Sequence, residues 1–257
     1  MHLTQLLILE ASPRCNLSDA HKWCPCDQRQ ADRLTEPKAH LPSAAIAIEA
    51  HKLGFRGYIG FHYYNEPCAH HEPLLAVMNS IVDSVPGQRF LLWTNGTVRV
   101  PRQFLRSFDL VVMSDHTAAG TEPTEWGRIA SCGIPVARHV MAPDKRLREW
   151  PTEALNEPVR CLVPFTEFIV DAWGDVHLCC YAWRKEQAIG NVHEEPLEEI
   201  VHRWKQFRIA LAMGDNVMLP ACCETCPFAR DEIAQIESGA WVRATAAVGE
   251  WRKGDTI

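Results

Sequence analysis

The chain carries CLVPF at 161–165, DAWGDVHLCC at 171–180, IGNV at 189–192, LEEI at 197–200 and CCETCP at 222–227. Of its 11 cysteines, Cys161, Cys179, Cys180, Cys222, Cys223 and Cys226 fall inside this stretch. Cys15, Cys24 and Cys26 lie near the N-terminus, and only Cys68 and Cys132 stand between the two groups. Thiols in a reducing compartment stay reduced, so two tight groups read as ligands for a metal or cluster rather than as disulfides. Within the second group, Glu167–Val170 and residues 175–178 flank Trp173-Gly174 as a hairpin signal. Leu197–Met213 has amphipathic helical spacing and ends near Gly214.

Upstream, short apolar runs alternate with helix-like stretches. Leu6–Leu9, 57–62, 89–93, 110–113 and 135–140 read as buried strands, and 43–53 as a helix. That rhythm is the βα repeat of a parallel sheet. A complete (β/α)₈ barrel needs roughly 250 residues, whereas about 150 precede the second cysteine group, so five or six βα units fit. The expected fold is α/β: a partial TIM-like barrel over 1–150 and a small Cys-rich domain with a C-terminal helix over 151–257. The stretch 149–158, with two prolines, reads as the linker.

A net charge of −6 leaves no basic footprint, which argues against a nucleic-acid partner. No stretch approaches the roughly 20 apolar residues of a membrane span, and the N-terminus lacks a basic n-region and a cleavage site, so a cytoplasmic protein without membrane contact is expected. In the first cysteine group, Cys-Pro-Cys at 24–26 brings two thiols together, and Pro25 stiffens their presentation. Read on its own residues, Cys15, Cys24 and Cys26 suit an iron–sulfur cluster, or with His21 a zinc ion. Similarly, Cys161, Cys179, Cys223 and Cys226 suit a four-thiolate cluster or a zinc ribbon. The long gap between Cys179 and Cys223 and the lack of a second CxxC weigh against the ribbon.

Ser12-Pro13-Arg14-Cys15-Asn16-Leu17, directly after an apolar strand, resembles the entry to the cluster loop of radical S-adenosylmethionine (SAM) enzymes. Those enzymes use C-x₃-C-x₂-C; here the spacing is C-x₈-C-x-C, with 18–23 acting as an insertion. Tyr64-Asn65-Glu66-Pro67 resembles the family's Gly-Gly-Glu-Pro segment, Thr94-Asn95-Gly96 its third-strand motif, and Val112-Met113-Ser114 the end of its fourth strand. Each tripeptide also fits an ordinary strand-end turn. Their order after Cys15 is the stronger signal, because barrel sites are built from successive C-terminal strand ends. The segment 161–227 resembles the family's SPASM or shorter twitch extension.

The resemblance implies two [4Fe–4S] clusters. Cys15, Cys24 and Cys26 would hold the one whose fourth iron stays open to SAM, and Cys161, Cys179, Cys223 and Cys226 an auxiliary one, with Cys180 or Cys222 as possible exchanges. Tyr64, Asn65, Glu66, Thr94, Asn95, Ser114 and Arg138 would line the SAM site. The implied chemistry is reductive SAM cleavage to a 5′-deoxyadenosyl radical that abstracts a substrate hydrogen. It is driven by an external flavodoxin- or ferredoxin-type donor. The small size and single auxiliary cluster resemble aminocyclitol dehydrogenases, so oxidation of a small polar metabolite is the first reading. Peptide epimerisation or crosslinking is the second, with Cys68 or Cys132 as hydrogen donor; the lack of an obvious leader-binding domain counts against it. A non-catalytic zinc protein is the third.

Overall fold

The computed structural model describes residues 5–21, 24–33, 41–140, 161, 163–213, 219 and 221–226; the expected linker at 149–158 lies outside them. Six strands run parallel: β1 (Leu6–Leu9), β2 (Tyr58–Gly60), β3 (Arg89–Thr94), β4 (Leu110–Asp115), β5 (Val136–Val140) and β6 (Glu167–Val170). Two more, β7 (Asp175–His177) and β8 (Ala188–Asn191), continue antiparallel, giving the open order β5-β4-β3-β2-β1-β6-β7-β8. The helices are α1 (Cys26–Arg33), α2 (Ser43–Lys52), α3 (His71–Ser84), α4 (Arg102–Leu105), α5 (Trp126–Ala130), α6 (Val163–Thr166), α7 (Leu197–Met213) and α8 (Ala221–Glu224). The partial barrel, the hairpin and the long C-terminal helix are thus all present. Strands β6–β8 follow residue 150 in sequence, yet they hydrogen-bond into the same sheet as β1. Two compact units result, 1–148 with 163–204, and 149–162 with 205–257. No helix among the described residues is long and apolar enough to cross a membrane.

The sheet has two chemically different faces because side chains alternate along each strand. On one face Leu7, Leu9, Ile59, Phe90, Leu92, Val111, Met113, Phe168 and Val170 are all buried and apolar. Trp204 of α7 packs edge-on against Phe168 at 5.4 Å, so this is the face that helices cover. The other face mixes apolar and polar residues. At its C-terminal end stand Glu10, His62, Trp93, Ser114, His139 and Asp171. Gly60 makes room there: a Cβ would lie 2.8 Å from the His62 ring, which folds back over the strand. Trp93 lies between neighbours, with its ring 5.2 Å from His62 and 5.7 Å from His139, and its indole N–H donates to Ser114 Oγ at 2.5 Å.

A charged cluster ties this end together. Glu10, one residue past β1, and Asp171, one past β6, are fully buried. Arg29 of α1, only 2% exposed, donates both Nη groups to Glu10 at 2.9 and 2.8 Å and reaches Asp171 Oδ2 at 3.4 Å. Its guanidinium lies over the rings of Tyr63 (4.7 Å), Tyr64 (4.9 Å) and Trp173 (5.4 Å). Glu10 also accepts the backbone N–H of Tyr64 and of Ala172, and Asp171 accepts those of Trp173 and Asp175. His177 Nε2 sits 3.1 Å from Asp171 Oδ2. One arginine therefore joins α1 to the ends of β1, β2 and β6.

Removing that cation while leaving its carboxylates buried is the costly change. Arg29→Met is expected to lower unfolding free energy in denaturant titration by about 3–5 kcal/mol, with Glu10→Gln added in the same chain recovering part of it. A loss below about 1 kcal/mol would show the cluster to be dispensable.

Burial of the His62 imidazole, with Nδ1 enclosed and unpartnered, lowers its proton affinity to about 3. The unfolded chain therefore binds a proton below about pH 6.5 that the folded chain refuses, and stability falls as pH drops from there toward 3. Between pH 7 and 5 the protein should lose about 1–2 kcal/mol that His62→Phe does not lose. Parallel pH profiles for the two proteins would contradict this.

Candidate active site and cluster ligands

The first cysteine group leaves β1 immediately after Glu10, so its position follows from the strand that the Arg29 cluster fixes. The chain coils through a series of turns. Ser18 N donates to Cys15 O, Ala20 N and His21 N to Leu17 O, and Cys24 N to His21 O at 2.8 Å. This coil brings Cys24 back toward Cys15 across the insertion. Cys26 then opens α1, and Arg14 O accepts Glu66 N, tying the loop to the end of β2.

The three sulfurs suit a cluster. Loss of water pushes the Cys15 thiol up to about 12 and the Cys26 thiol up to about 11, and the neighbouring thiols add repulsion to each. Unpaired thiolates here would be costly; bound iron would remove that cost. Donors are already aimed at sulfur: Leu17 N–H at 3.4 Å and Asn95 Nδ2 at 3.9 Å on Cys15, and Gln30 Nε2 at 3.4 Å on Cys26. Hydrogen bonds of this kind tune cluster potentials. Among the described residues no three His, Cys, Asp or Glu side chains gather closely enough for one metal ion. A single zinc needs its ligands within about 2.3 Å of one point, whereas a cubane takes each thiolate on a separate iron. His21, the ligand that a zinc reading needs, instead pairs with Thr121 Oγ1 at 3.0 Å and packs on His116 at 4.7 Å.

Beside this loop, Glu66 staples β2 to β3. Its Oε1 accepts Cys68 N at 2.9 Å and Thr94 Oγ1 at 2.8 Å, and its Oε2 accepts Asn95 N at 2.8 Å. Burial raises its proton affinity, and hydrogen bonds from Asn95, Cys68 and Thr94 offset only part of that rise. One lone pair on Oε2 is left over, the kind of acceptor an ammonium group takes. Asn95 Nδ2 also donates to Asn16 Oδ1, bridging β3 to the cysteine loop. Asn65 closes its own turn, accepting Tyr63 N and donating to Phe61 O. Tyr64 is buried and its hydroxyl donates to Cys180 O at 2.5 Å, spanning from β2 to the turn after β7.

The remaining candidates separate. Ser114 faces the mixed side of the sheet beside Trp93. Arg138 points to the opposite side, ion-paired with Asp115 and over Trp126 of α5, while its neighbour His139 faces the mixed side. Cys68 is buried, with Sγ 3.5 Å from Thr94 Oγ1, on the side away from Trp93. Cys132 follows α5, where it precedes β5, and its carbonyl accepts Arg106 Nε from the end of α4, ahead of β4. That is the N-terminal edge of the sheet, the far side from Glu66 and Ser114. Sequence reading also missed the set Glu10, Arg29, Asp171 and His177. The available signal was a lone carboxylate ending each of two apolar strands, LLILE and EFIVD.

In the second cysteine group, Ala182 N caps Cys179 O, and Cys180 N donates to Glu167 Oε1 at 3.2 Å. Farther on, α8 carries Cys222 and Cys223, and Cys226 N returns to Cys223 O at 3.3 Å, closing the CxxC turn. A hydrogen bond from the Cys223 side chain lowers the Cys222 thiol. No disulfide joins any two of the cysteines.

Residues 161–227 match the SPASM family, an iron–sulfur cluster-binding domain. No curated protein matches the chain at the sequence level. Among solved structures, BtrN in complex with AdoMet and 2-DOIA superposes with a TM-score of 0.66 and 21% identity, covering 88% of this chain and 94% of that one. BtrN in an open conformation gives 0.60 and 20%, covering 88% and 92%. The anSMEcpe enzyme with bound AdoMet gives 0.52 and 13%, covering 77% and 79%. The chain thus has the fold of the radical SAM enzymes and carries a SPASM iron–sulfur cluster-binding domain at its C-terminal end.

Proposed function

We propose that this chain is a radical SAM dehydrogenase acting on a small polar metabolite. Two [4Fe–4S] clusters would be held by Cys15, Cys24 and Cys26 and by Cys161, Cys179, Cys223 and Cys226. When bound, SAM and its cluster supply reductive cleavage of the sulfonium and hydrogen-atom abstraction from an unactivated C–H. The protein's own contribution is placement. The free lone pair of Glu66 would receive the SAM amino group, Asn95 would orient Cys15, and Ser114 would present its hydroxyl to the ribose or carboxylate. The mixed face around His62, Trp93 and His139 would receive the substrate. Electrons would arrive from a flavodoxin- or ferredoxin-type donor.

One observation carries the preference for oxidation over epimerisation. An epimerase must return a hydrogen atom to the substrate carbon from a nearby thiol. Cys132 sits at the N-terminal edge of the sheet, and Cys68 is buried with its sulfur against Thr94 and Glu66 rather than against His62, Trp93 and His139. With neither of these two thiols facing His62, Trp93 and His139, loss of an electron from the substrate radical is the outcome we favour, and a second cluster is the natural acceptor. BtrN, whose structure holds AdoMet and 2-DOIA, supports a small polar substrate. The structure of anSMEcpe with AdoMet and the Cp18Cys peptide keeps peptide modification as the second reading.

Anaerobically reconstituted protein is expected to hold about eight irons and to release 5′-deoxyadenosine from SAM under a strong reductant. Cys15, Cys24 and Cys26 changed together to Ala should halve the iron and abolish that release; zinc with negligible iron in the wild type would end the proposal. With a turnover substrate in hand, Cys68→Ala and Cys132→Ala should each keep most activity in deuterated water and leave no deuterium on the product carbon. Deuterium at an inverted carbon, lost in either variant, would transfer the assignment to epimerisation.

A further inference from the structure

The family's cluster loop brings its second cysteine four residues after the first; here Cys24 is nine residues after Cys15. An insertion of this length, left free, would spread the two thiols over many conformations and weaken their hold on one cluster. The structure shows what restrains it. Asn16, the residue after Cys15, donates through Nδ2 to Thr97 Oγ1 at 2.9 Å and accepts through Oδ1 from Asn95 Nδ2 at 2.9 Å. Asn95 and Thr97 are themselves locked, since Asn95 Oδ1 accepts both the N–H and the hydroxyl of Thr97, at 3.0 and 2.7 Å. At the other end of the insertion, His21 is only 5% exposed. Its Nε2 hydrogen-bonds Thr121 Oγ1 at 3.0 Å, and its ring packs on His116 at 4.7 Å. Thr121 is in turn fixed by its isolated bridge to His116. Between the anchors run the turn bonds from Ser18, Ala20 and His21 described above, and His21 O then accepts Cys24 N at 2.8 Å.

We infer that Asn16 and His21 are positioning residues that compensate for the long C-x₈-C spacing. Anchored on the end of β3 and on the segment after β4, they set the separation of Cys15 and Cys24 at which both can hold one [4Fe–4S] cluster. Neither residue is a ligand in this account. Both act through the cysteine next to them: Asn16 adjoins Cys15, and the carbonyl of His21 fixes the backbone N–H of Cys24. Outer partners of this kind commonly change metal retention by about 10–100-fold. The inference rests on the radical SAM reading, and its test separates the two.

The test uses full-length protein reconstituted anaerobically, with iron counted per chain and the reduced clusters followed by electron paramagnetic resonance with and without SAM. Wild type should hold about eight irons and show a SAM-dependent spectral change; a wild type that binds about four irons and ignores SAM would overturn the functional reading itself. Asn16→Ala with His21→Ala should fall to about four irons, lose the SAM-dependent change and keep the auxiliary-cluster signal. A double variant that keeps eight irons and the SAM response would overturn the inference. In case that variant misfolds, Thr121→Val is measured against Thr121→Ser. Valine removes the hydroxyl that His21 uses and should speed loss of the SAM-responsive iron to a chelator by about tenfold, while serine restores the wild-type rate. Equal rates for valine and wild type would overturn the inference as well.

Discussion

The site depends on one buried cation. Arg29 is held by two carboxylates and three aromatic rings, drawn from three parts of the chain: β1 ends in Glu10, the β2 turn supplies Tyr63 and Tyr64, and the β6–β7 turn supplies Asp171 and Trp173. Because α1 begins at Cys26, the same arginine fixes the helix that presents the third cysteine of the first group. Buried ion pairs seldom add much net stability, since desolvation offsets attraction, but they tolerate few alternative arrangements.

Much of the architecture was legible because it rests on periodicity. LLIL, RFLLWT and LVVM are short apolar runs bounded by turn residues, and they became β1, β3 and β4 with little change. The amphipathic stretch at Leu197–Met213 became α7 at both predicted ends. The order of Cys15, Glu66, Asn95 and Ser114 along the chain predicted that neighbouring strand ends would bring them together. What sequence could not show was the direction of each side chain. Arg138 and His139 are adjacent, and pleating sends them to opposite faces, so choosing Arg138 as the ligand-facing residue required a register that only the β4–β5 pairing supplies. The Arg29 cluster was hidden for a similar reason: Arg29 and Asp171 are separated by 142 positions, and an arginine in QRQADR reads as solvated surface. The boundary near residue 150 marked a change in composition, whereas hydrogen bonding carries the sheet on through β6, β7 and β8.

The cysteines of this chain sit in two kinds of surroundings. Cys68 and Cys132 are buried, Cys132 against the Arg128 carbonyl and Cys68 against Thr94 and Glu66, where loss of water and the Glu66 charge keep the Cys68 thiol protonated. The three cysteines of the first loop also lose water, but they have amide donors directed at sulfur and one another nearby. Chemical identity alone does not separate these sets; their hydrogen-bonding company does.

The central place of β1 also has a consequence for how the protein is made. It pairs with β2 on one side within about fifty residues, but its other edge pairs with β6, so Leu6 meets Glu167. During synthesis that second edge, with Glu10 and the loop that follows, waits until the ribosome has delivered more than half the chain, on the order of ten seconds or more at ordinary translation rates. For that interval an unpaired apolar strand lies next to reactive thiols, the situation in which a nascent chain pairs with the wrong neighbour or is oxidised. Until β6 and the Asp171 turn have formed, the loop that follows Glu10 is without the framework that holds it in the folded chain.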